Sequence, residues 1–369
     1  MNMRFCFFFA VWFCFTMTCA QAQVLKVEHL SNHVTADTCF NKGVSAAYSG
    51  IAKGQLILAG GCNFPHVAAV WGGERVYYDY IWATSVNAGT EPQWTLVGRL
   101  PVASAYGITV ADEDGLICLG GTCKDGGLKS AYRMVFADNK ISINRLPDLP
   151  LSIDNAAGAR AGRKIYVAGG NQGGKPSSDI YVLDLDNLSR NWQKETSFPG
   201  RPRVQPVCAT SGETLYVWGG FFPVEGDVPA SMPENGWAYN LITHEWAEVP
   251  APRDSEGNII ALAGGAACTQ PDGNIVCVGG VNQDIFPQAL NGIFKDPEYK
   301  LHPVEWYKFN RNILLFNPKV HAWVILGDSE EGARAGACLV SDGKWNYIVN
   351  GETKPGIRTP LISRFKLDK

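Results

Sequence analysis

The hydrophobic positions of this chain fall into short runs separated by polar turns, and the runs recur with fixed punctuation. An apolar stretch, a short polar turn and a second apolar stretch lead into two glycines. The second stretch and its glycines read Leu56-Ile57-Leu58-Ala59-Gly60-Gly61, Ile117-Cys118-Leu119-Gly120-Gly121, Tyr166-Val167-Ala168-Gly169-Gly170, Tyr216-Val217-Trp218-Gly219-Gly220 and Val276-Cys277-Val278-Gly279-Gly280. A sixth, Tyr347-Ile348-Val349-Asn350-Gly351, puts asparagine in the first glycine's place. After each pair come a variable loop, a third strand such as Ile180-Tyr181-Val182-Leu183 or Ile313-Leu314-Leu315-Phe316, and a fourth strand. The fourth strand carries Trp94, Trp192, Trp246 or Trp323; Ile141-Ser142-Ile143 takes its place in the second unit. Runs this short, bounded by Gly and Pro turns, predict strands rather than helices.

A repeat of about 50 residues with four strands and a di-glycine is the kelch pattern of a propeller blade. Glycine suits the point where the second strand leaves the crowded axis, because a residue without Cβ takes positive φ and lets loops approach. The tryptophan is expected to fill the wedge between blades. The predicted fold is therefore all-β, a six-bladed β-propeller. The last unit has strands near Ala335–Leu339, Trp345–Asn350 and Leu361–Phe365 and then runs out of chain. The isolated strand Val24–Leu30 is expected to supply its missing outer strand and close the ring, which removes open sheet edges. Two loops exceed a minimal blade: residues 64–82, rich in aromatics, and 285–312, with a short helix expected around Pro303–Phe309.

Loops joining second to third strands emerge on one face of a propeller, as do those linking consecutive blades. This places Asn63, Thr122, Asn171, Phe221, Asn282, Gln283, Glu352 and Arg358 around one mouth of the channel, joined by Arg203, Arg253, Glu331 and Arg334 from inter-blade loops. Polar groups converging on a concave surface mark a binding site. Each has a structural alternative. Asn63, Asn171 and Asn282 read first as turn caps. Arg253 and Glu331 read as solvated loop charges, Glu352 and Arg358 equally as a salt bridge bracing their loop, and Lys354 as pointing to solvent.

Composition narrows the setting. The chain has 369 residues with 40 Gly, 11 Trp and only 18% charged residues, which fits an all-β protein rich in turns. A net charge of −3 offers no electrostatic reason to bind nucleic acid. Met1–Ala22 reads as a signal peptide: Arg4, an apolar core over Phe5–Met17 and the small-x-small site Ala20-Gln21-Ala22. The mature domain would then be 23–369, exported to the periplasm and free of the membrane. Lipid attachment at Cys19 is the rival reading, though Thr16-Met17-Thr18 is a poor lipobox. Of the 11 cysteines, three leave with the leader. The remaining even number permits disulfides in an oxidising compartment, and Cys268 and Cys277, flanking a Pro271-Asp272-Gly273 turn, face each other only if the register is right by one residue. Without CxxC or a His–Cys cluster, no metal site is expected.

Gly279-Gly280-Val281-Asn282-Gln283-Asp284-Ile285-Phe286 and Asn350-Gly351-Glu352-Thr353-Lys354-Pro355-Gly356-Ile357-Arg358-Thr359 closely resemble the bacterial N-acetylneuraminate epimerases, or sialic acid mutarotases. The resemblance covers nearly the whole mature chain in rotated order, as in a cyclically permuted branch. It implies a periplasmic six-bladed kelch propeller that interconverts the α and β anomers of free sialic acid, needing no cofactor. The family's acid/base glutamate falls on Glu352 and an active-site arginine on Arg358. Asn282, Gln283, Arg203 and Arg334 are the candidate substrate-binding residues. Sialidase Ser-x-Asp-x-Gly-x-x-Trp boxes are absent, and the six histidines are too scattered to ligate copper. A non-enzymatic glycan- or protein-binding kelch module, and a mutarotase for another sugar acid, stay open as alternatives. Oligomeric state is not legible.

Overall fold

In the computed structural model, residues 25–30, 37–87, 89 and 91–367 are described. The predicted leader and its cleavage point lie outside them. Among the described residues, six antiparallel four-stranded sheets follow one another along the chain. The first is Tyr48–Ala52, Gln55–Ala59, Tyr80–Ser85 and Thr95–Arg99, in that spatial order. The next four repeat it; the di-glycine directly follows the second strand in four of these sheets, and in the fourth the second strand, Thr214–Phe221, runs through it. The last sheet takes Cys338–Ser341, Asn346–Val349 and Ile362–Phe365 from the C-terminal end and Val27–Leu30 from the other, with Val27 opposite Phe365 and Leu30 opposite Ile362. Glu28 and Arg364 pair across this junction at 3.0 Å.

Apolar faces of neighbouring sheets form the core. One cluster joins Tyr48, Ile57 and Ile81 of the first sheet to Leu116, Cys118 and Met134 of the second. Another joins Leu56 and Leu58 of the first to Tyr347, Val349 and Ile362 of the last. The tryptophans sit in these seams. The indole N–H groups of Trp192, Trp246 and Trp323 donate to the carbonyls of Pro147, Thr196 and Pro250, each in the preceding unit, at 2.9, 3.1 and 2.8 Å.

At the axis the first strands are linked by a cycle of backbone hydrogen bonds. Ala46 N–H donates to Gly336, Tyr106 to Ala46, Asn155 to Tyr106, Gln205 to Asn155, Gly264 to Gln205 and Gly336 to Gly264, all at 2.7–3.2 Å. All six residues have positive φ, between 50° and 71°. Four of them are not glycine, and Tyr106 is the bulkiest, an uncommon backbone state for an aromatic residue. The cycle borders a cavity of about 210 Å³ along the axis, whose wall includes Tyr106, Asn155 and Gln205.

The glycine pairs behave as expected. Gly121 has φ +98°, and a Cβ there would lie 2.6 Å from the Tyr48 hydroxyl and 2.7 Å from the Ala105 carbonyl. Asn350 holds φ +54° in the place of a first glycine, a conformation asparagine tolerates better than other residues with a Cβ.

Three local expectations change. The long loop carries a 3-10 turn at Val304–Tyr307, near the predicted helix, but also α-helices Ile285–Leu290 and Glu298–Leu301, too short for a period to show in sequence. Cys277 stands opposite Ala267, and Cys268 opposite Val276, so the two cysteines are one residue out of register; all eight described cysteines are free. Lys354 does not point to solvent: its ammonium donates to the carbonyls of Lys300 and His302 at 3.3 and 2.6 Å.

Candidate active site

Beyond the glycine position of five units the chain makes one more pairing before its loop, and in the fifth unit Val281 N–H donates to the Ala263 carbonyl at 3.0 Å. Ser45 bridges Cys62, Ala105 bridges Thr122, Asp154 pairs with Asn171, Val204 with Phe221 and Ala335 with Glu352. Structurally, then, the residue matching Glu352 in the first unit is Cys62, not Asn63, and in the fifth it is Val281, not Asn282. Side chains alternate along extended backbone, so that one-residue offset turns Asn63 and Asn282 away from the direction Glu352 takes. Asn63 is buried, donating to the carbonyls of Cys39 and Gly43 and accepting from the Tyr78 hydroxyl. Asn282 caps the turn into Ile285–Leu290, its Oδ1 accepting from Asp284 and Ile285 N–H at 2.9 Å each. Gln283 faces a cavity of about 410 Å³ together with Thr353, on a wall that includes neither Glu352 nor Arg358.

Glu352 and Arg358 stand opposite one another on a small hairpin, Glu352–Lys354 against Ile357–Arg358. Arg358 Nη1 lies 2.9 Å from Glu352 Oε2, the side chains being 3% and 21% exposed. Glu352 Oε1 accepts from Gly356 N–H at 2.9 Å. Burial raises the Glu352 carboxyl above the ordinary glutamate range, while Arg358, the Gly356 N–H and Arg75 pull the other way. Arg358 stacks on Phe64, 5.0 Å from the ring centre, and its Nη2 reaches the Tyr106 hydroxyl at 3.5 Å. Its Nε and Nη1 are buried without a hydrogen-bond partner among the described residues, Nη1 meeting Glu352 as an ion pair only, and the Nε of Arg203 is likewise unpartnered.

Two long loops clasp this hairpin. From one side, Ala69 packs on Gly356 so closely that a Cβ there would fall 2.6 Å from the Ala69 methyl. From the other, Lys354 is tied to Lys300 and His302. The first loop also brings Arg75, whose guanidinium lies over Phe64 and Tyr106 at 5.5 and 5.3 Å. Burial is the main reason the Tyr106 phenol is raised well above its ordinary value, with Cys62 and Glu352 adding to it. Burial likewise raises the Cys62 thiol. Sequence reading missed Tyr106, Arg75, Phe64 and Cys62. The one available signal was Tyr106 at a repeat position held elsewhere by Ala46, Asn155, Gln205, Gly264 and Gly336, and it shows only once the repeats are aligned on the axial cycle.

Arg203 and Arg334 occupy equivalent inter-blade positions. Each offers its carbonyl to a second glycine, Gly170 or Gly280, and each is 1% exposed. Their guanidiniums are held by acceptors of their own sheets. Arg203 donates to the Asn235 carbonyl and Oδ1 at 3.0 and 2.6 Å. Arg334 donates to the carbonyls of Asn350 and Leu361 and to Ser363 Oγ. Glu331 pairs with His29 at 2.7 Å, on the N-terminal strand rather than the mouth, and Arg253 donates to the Gly257 carbonyl at 2.8 Å.

A β-propeller with a buried carboxylate–guanidinium pair, flanked by a phenol and a second arginine, has the parts of a site for proton transfer on an anionic ligand. The family model for N-acetylneuraminate epimerase matches residues 15–143 and 146–369, and the chain belongs to that family. It is similar to the N-acetylneuraminate epimerase of Vibrio cholerae (27% identity over 63% of this chain and 61% of the relative) and to that of Haemophilus influenzae (32% over 58% and 57%). The chain thus spans about three-fifths of the length of these relatives. A solved structure described as that of YjhT is also similar, with a TM-score of 0.51 and 28% identity over 60% of this chain and 67% of that one.

Proposed function

We propose that this protein is an isomerase that interconverts the α and β anomers of free N-acetylneuraminate by ring opening and closure. The observation that carries the reading is the Glu352–Arg358 pair, a carboxyl held above its ordinary range at 2.9 Å from a buried guanidinium with an open Nε. Anomer exchange requires the anomeric hydroxyl to lose a proton while the ring oxygen gains one. Glu352 takes the first proton. The Tyr106 phenol, neutral in this environment, gives one to the ring oxygen. The ring opens to a 2-ketone, the C2–C3 bond turns to offer the other face of the carbonyl, and the ring recloses on that face with both transfers reversed. Arg358 holds the C1 carboxylate, a planar partner for its fork. Positioned acid and base groups contribute about 10²–10⁴-fold each, enough for a reaction that already runs slowly in water.

The surrounding reading follows. We take the six sheets as blades of one closed ring over 23–369, supported by the axial hydrogen-bond cycle and the pairing of Val27–Leu30 with Ile362–Phe365. Matches of about three-fifths of each relative accord with a permuted blade order. Export to the periplasm, with cleavage after Ala22, would show as Gln23 at the mature N-terminus in a mass spectrum. Arg203 and Arg334 brace the scaffold in this reading, and Asn282 shapes the long loop.

The test is proton NMR of freshly dissolved N-acetylneuraminate, following the approach to anomeric equilibrium with and without protein. Wild type should shorten it. Glu352→Gln keeps shape and hydrogen bonding but loses the basic oxygen, so it should fold, bind and fail to accelerate exchange. If it equilibrates the anomers as fast as wild type, the mechanism is wrong. Binding without any acceleration by wild type would favour a glycan-binding module.

A further inference from the structure

We propose that Arg75 is the second arm of a carboxylate clamp shared with Arg358, so that the sugar acid is held between two guanidiniums. The inference rests on the reading of the site given above and names a residue that the hairpin motif does not contain. Arg75 directly precedes the short strand Val76–Tyr77, which pairs with Cys62–Asn63 just beyond the first di-glycine. The loop leading to it is tightly wound: Trp71 and Gly73 N–H both donate to the Ala68 carbonyl, and a Cβ on Gly73 would collide with the Val67 carbonyl at 1.8 Å. Arg75 and Arg358 lie over the same Phe64 ring, at 5.5 and 5.0 Å, and Arg75 also covers Tyr106. Aromatic stacking of this kind holds a guanidinium in place while leaving its N–H edge free.

The charges do not balance locally. Among the described residues no carboxylate lies within salt-bridge distance of Arg75, and its one hydrogen bond, to the Tyr77 hydroxyl, is long at 3.5 Å. Arg358 already has Glu352 on Nη1, and its Nη2 contact with Tyr106 is equally long. Two guanidiniums thus face one carboxylate, and a second anion completes the set. A planar carboxylate can take one N–H from Arg358 and another from Arg75, which leaves Glu352 free for the proton. Arg75 is exposed, so it meets the ligand first.

The experiment is calorimetric titration of wild type, Arg75→Gln and Arg75→Lys with N-acetylneuraminate and with its methyl ester, together with anomer-exchange kinetics. Charge-assisted hydrogen bonds are worth about 1.5–3 kcal/mol, or roughly 10- to 100-fold in affinity. Arg75→Gln should lose that factor for the acid and change ester binding by less than about twofold. KM should rise with kcat nearly kept, because the contact is equal in ground and transition states. Arg75→Lys, which keeps charge without the fork, should fall between. The clamp is overturned if Arg75→Gln keeps the wild-type preference for acid over ester, or if acid and ester weaken together, as loss of loop packing would give. Wild type that neither binds the acid nor accelerates exchange would instead bring down the functional reading itself.

Discussion

Arg334 and Arg358 belong to the same repeat, and both are nearly closed off from water, Arg334 at 1% exposure and the Arg358 side chain at 3%. Their surroundings differ in kind. Arg334 meets only neutral acceptors, two carbonyls and a hydroxyl, which join its inter-blade loop to the second and third strands of the last sheet. Burial holds it down to about 10, with Glu331 opposing, so it remains charged at neutral pH. Arg358 meets a titratable carboxylate, a phenol and an aromatic face, and keeps a buried N–H without a partner. A guanidinium satisfied by fixed neutral groups has nothing left to offer a ligand. One whose partners can change protonation or be displaced can take part in chemistry. Burial alone does not separate these two arginines; the nature of their acceptors does.

The contrast is most directly broken at Glu352, the acid/base group of the proposed mechanism. Glu352→Gln should lower the anomer-exchange rate by about 10²–10⁴-fold with little change in melting temperature, measured by NMR and calorimetry on the same sample. Arg334→Met should do the reverse. Its three acceptors would lose their donor, costing roughly 2–4 kcal/mol of stability in a denaturant titration, while KM and kcat of the folded fraction stay at wild-type values. A rise in KM without loss of stability would return Arg334 to the ligand site. Tyr106→Phe should slow exchange by about 10- to 100-fold, short of the Glu352 effect because water can replace the phenol as donor; unchanged kcat would remove Tyr106 from the mechanism.

The pH dependence sharpens the same comparison. Glu352 must be ionised to act as base, so the exchange rate should rise with pH through its raised pKa, and the midpoint should lie above the ordinary glutamate value. For stability the sign is opposite. The folded protein holds this proton more tightly than the unfolded chain, so Glu352's contribution falls as pH climbs from the ordinary glutamate value to the raised one and stays lost above it. Glu352→Gln should flatten that segment of a stability–pH curve, and Arg334→Met should leave it in place. The smallest effect is expected at the sheet junction. Glu28→Gln loosens a partly exposed pair with Arg364 and should cost no more than about 1 kcal/mol.

The repeat, the strand types, the di-glycines, the seam tryptophans and the pairing of Val27–Leu30 with the last sheet could all be read from the chain, because alternation, turn chemistry and glycine's positive φ are local properties that leave local marks. The Glu352–Arg358 hairpin was legible for the same reason: both residues sit in one tight loop that breaks the pattern set by the other units. What only the tertiary structure decided were relations between units. Whether Arg203 and Arg334 turn toward the mouth or into the wall depends on which acceptors the neighbouring strands present. A single residue of register separates Cys268 from Cys277. Tyr106, Phe64 and Arg75 come from two other units, nearly three hundred residues from Arg358 in the farthest case, and meet it only because the sheets pack around one axis. Sequence specifies the period of each strand; the packing of strands against one another decides which side chains share a space.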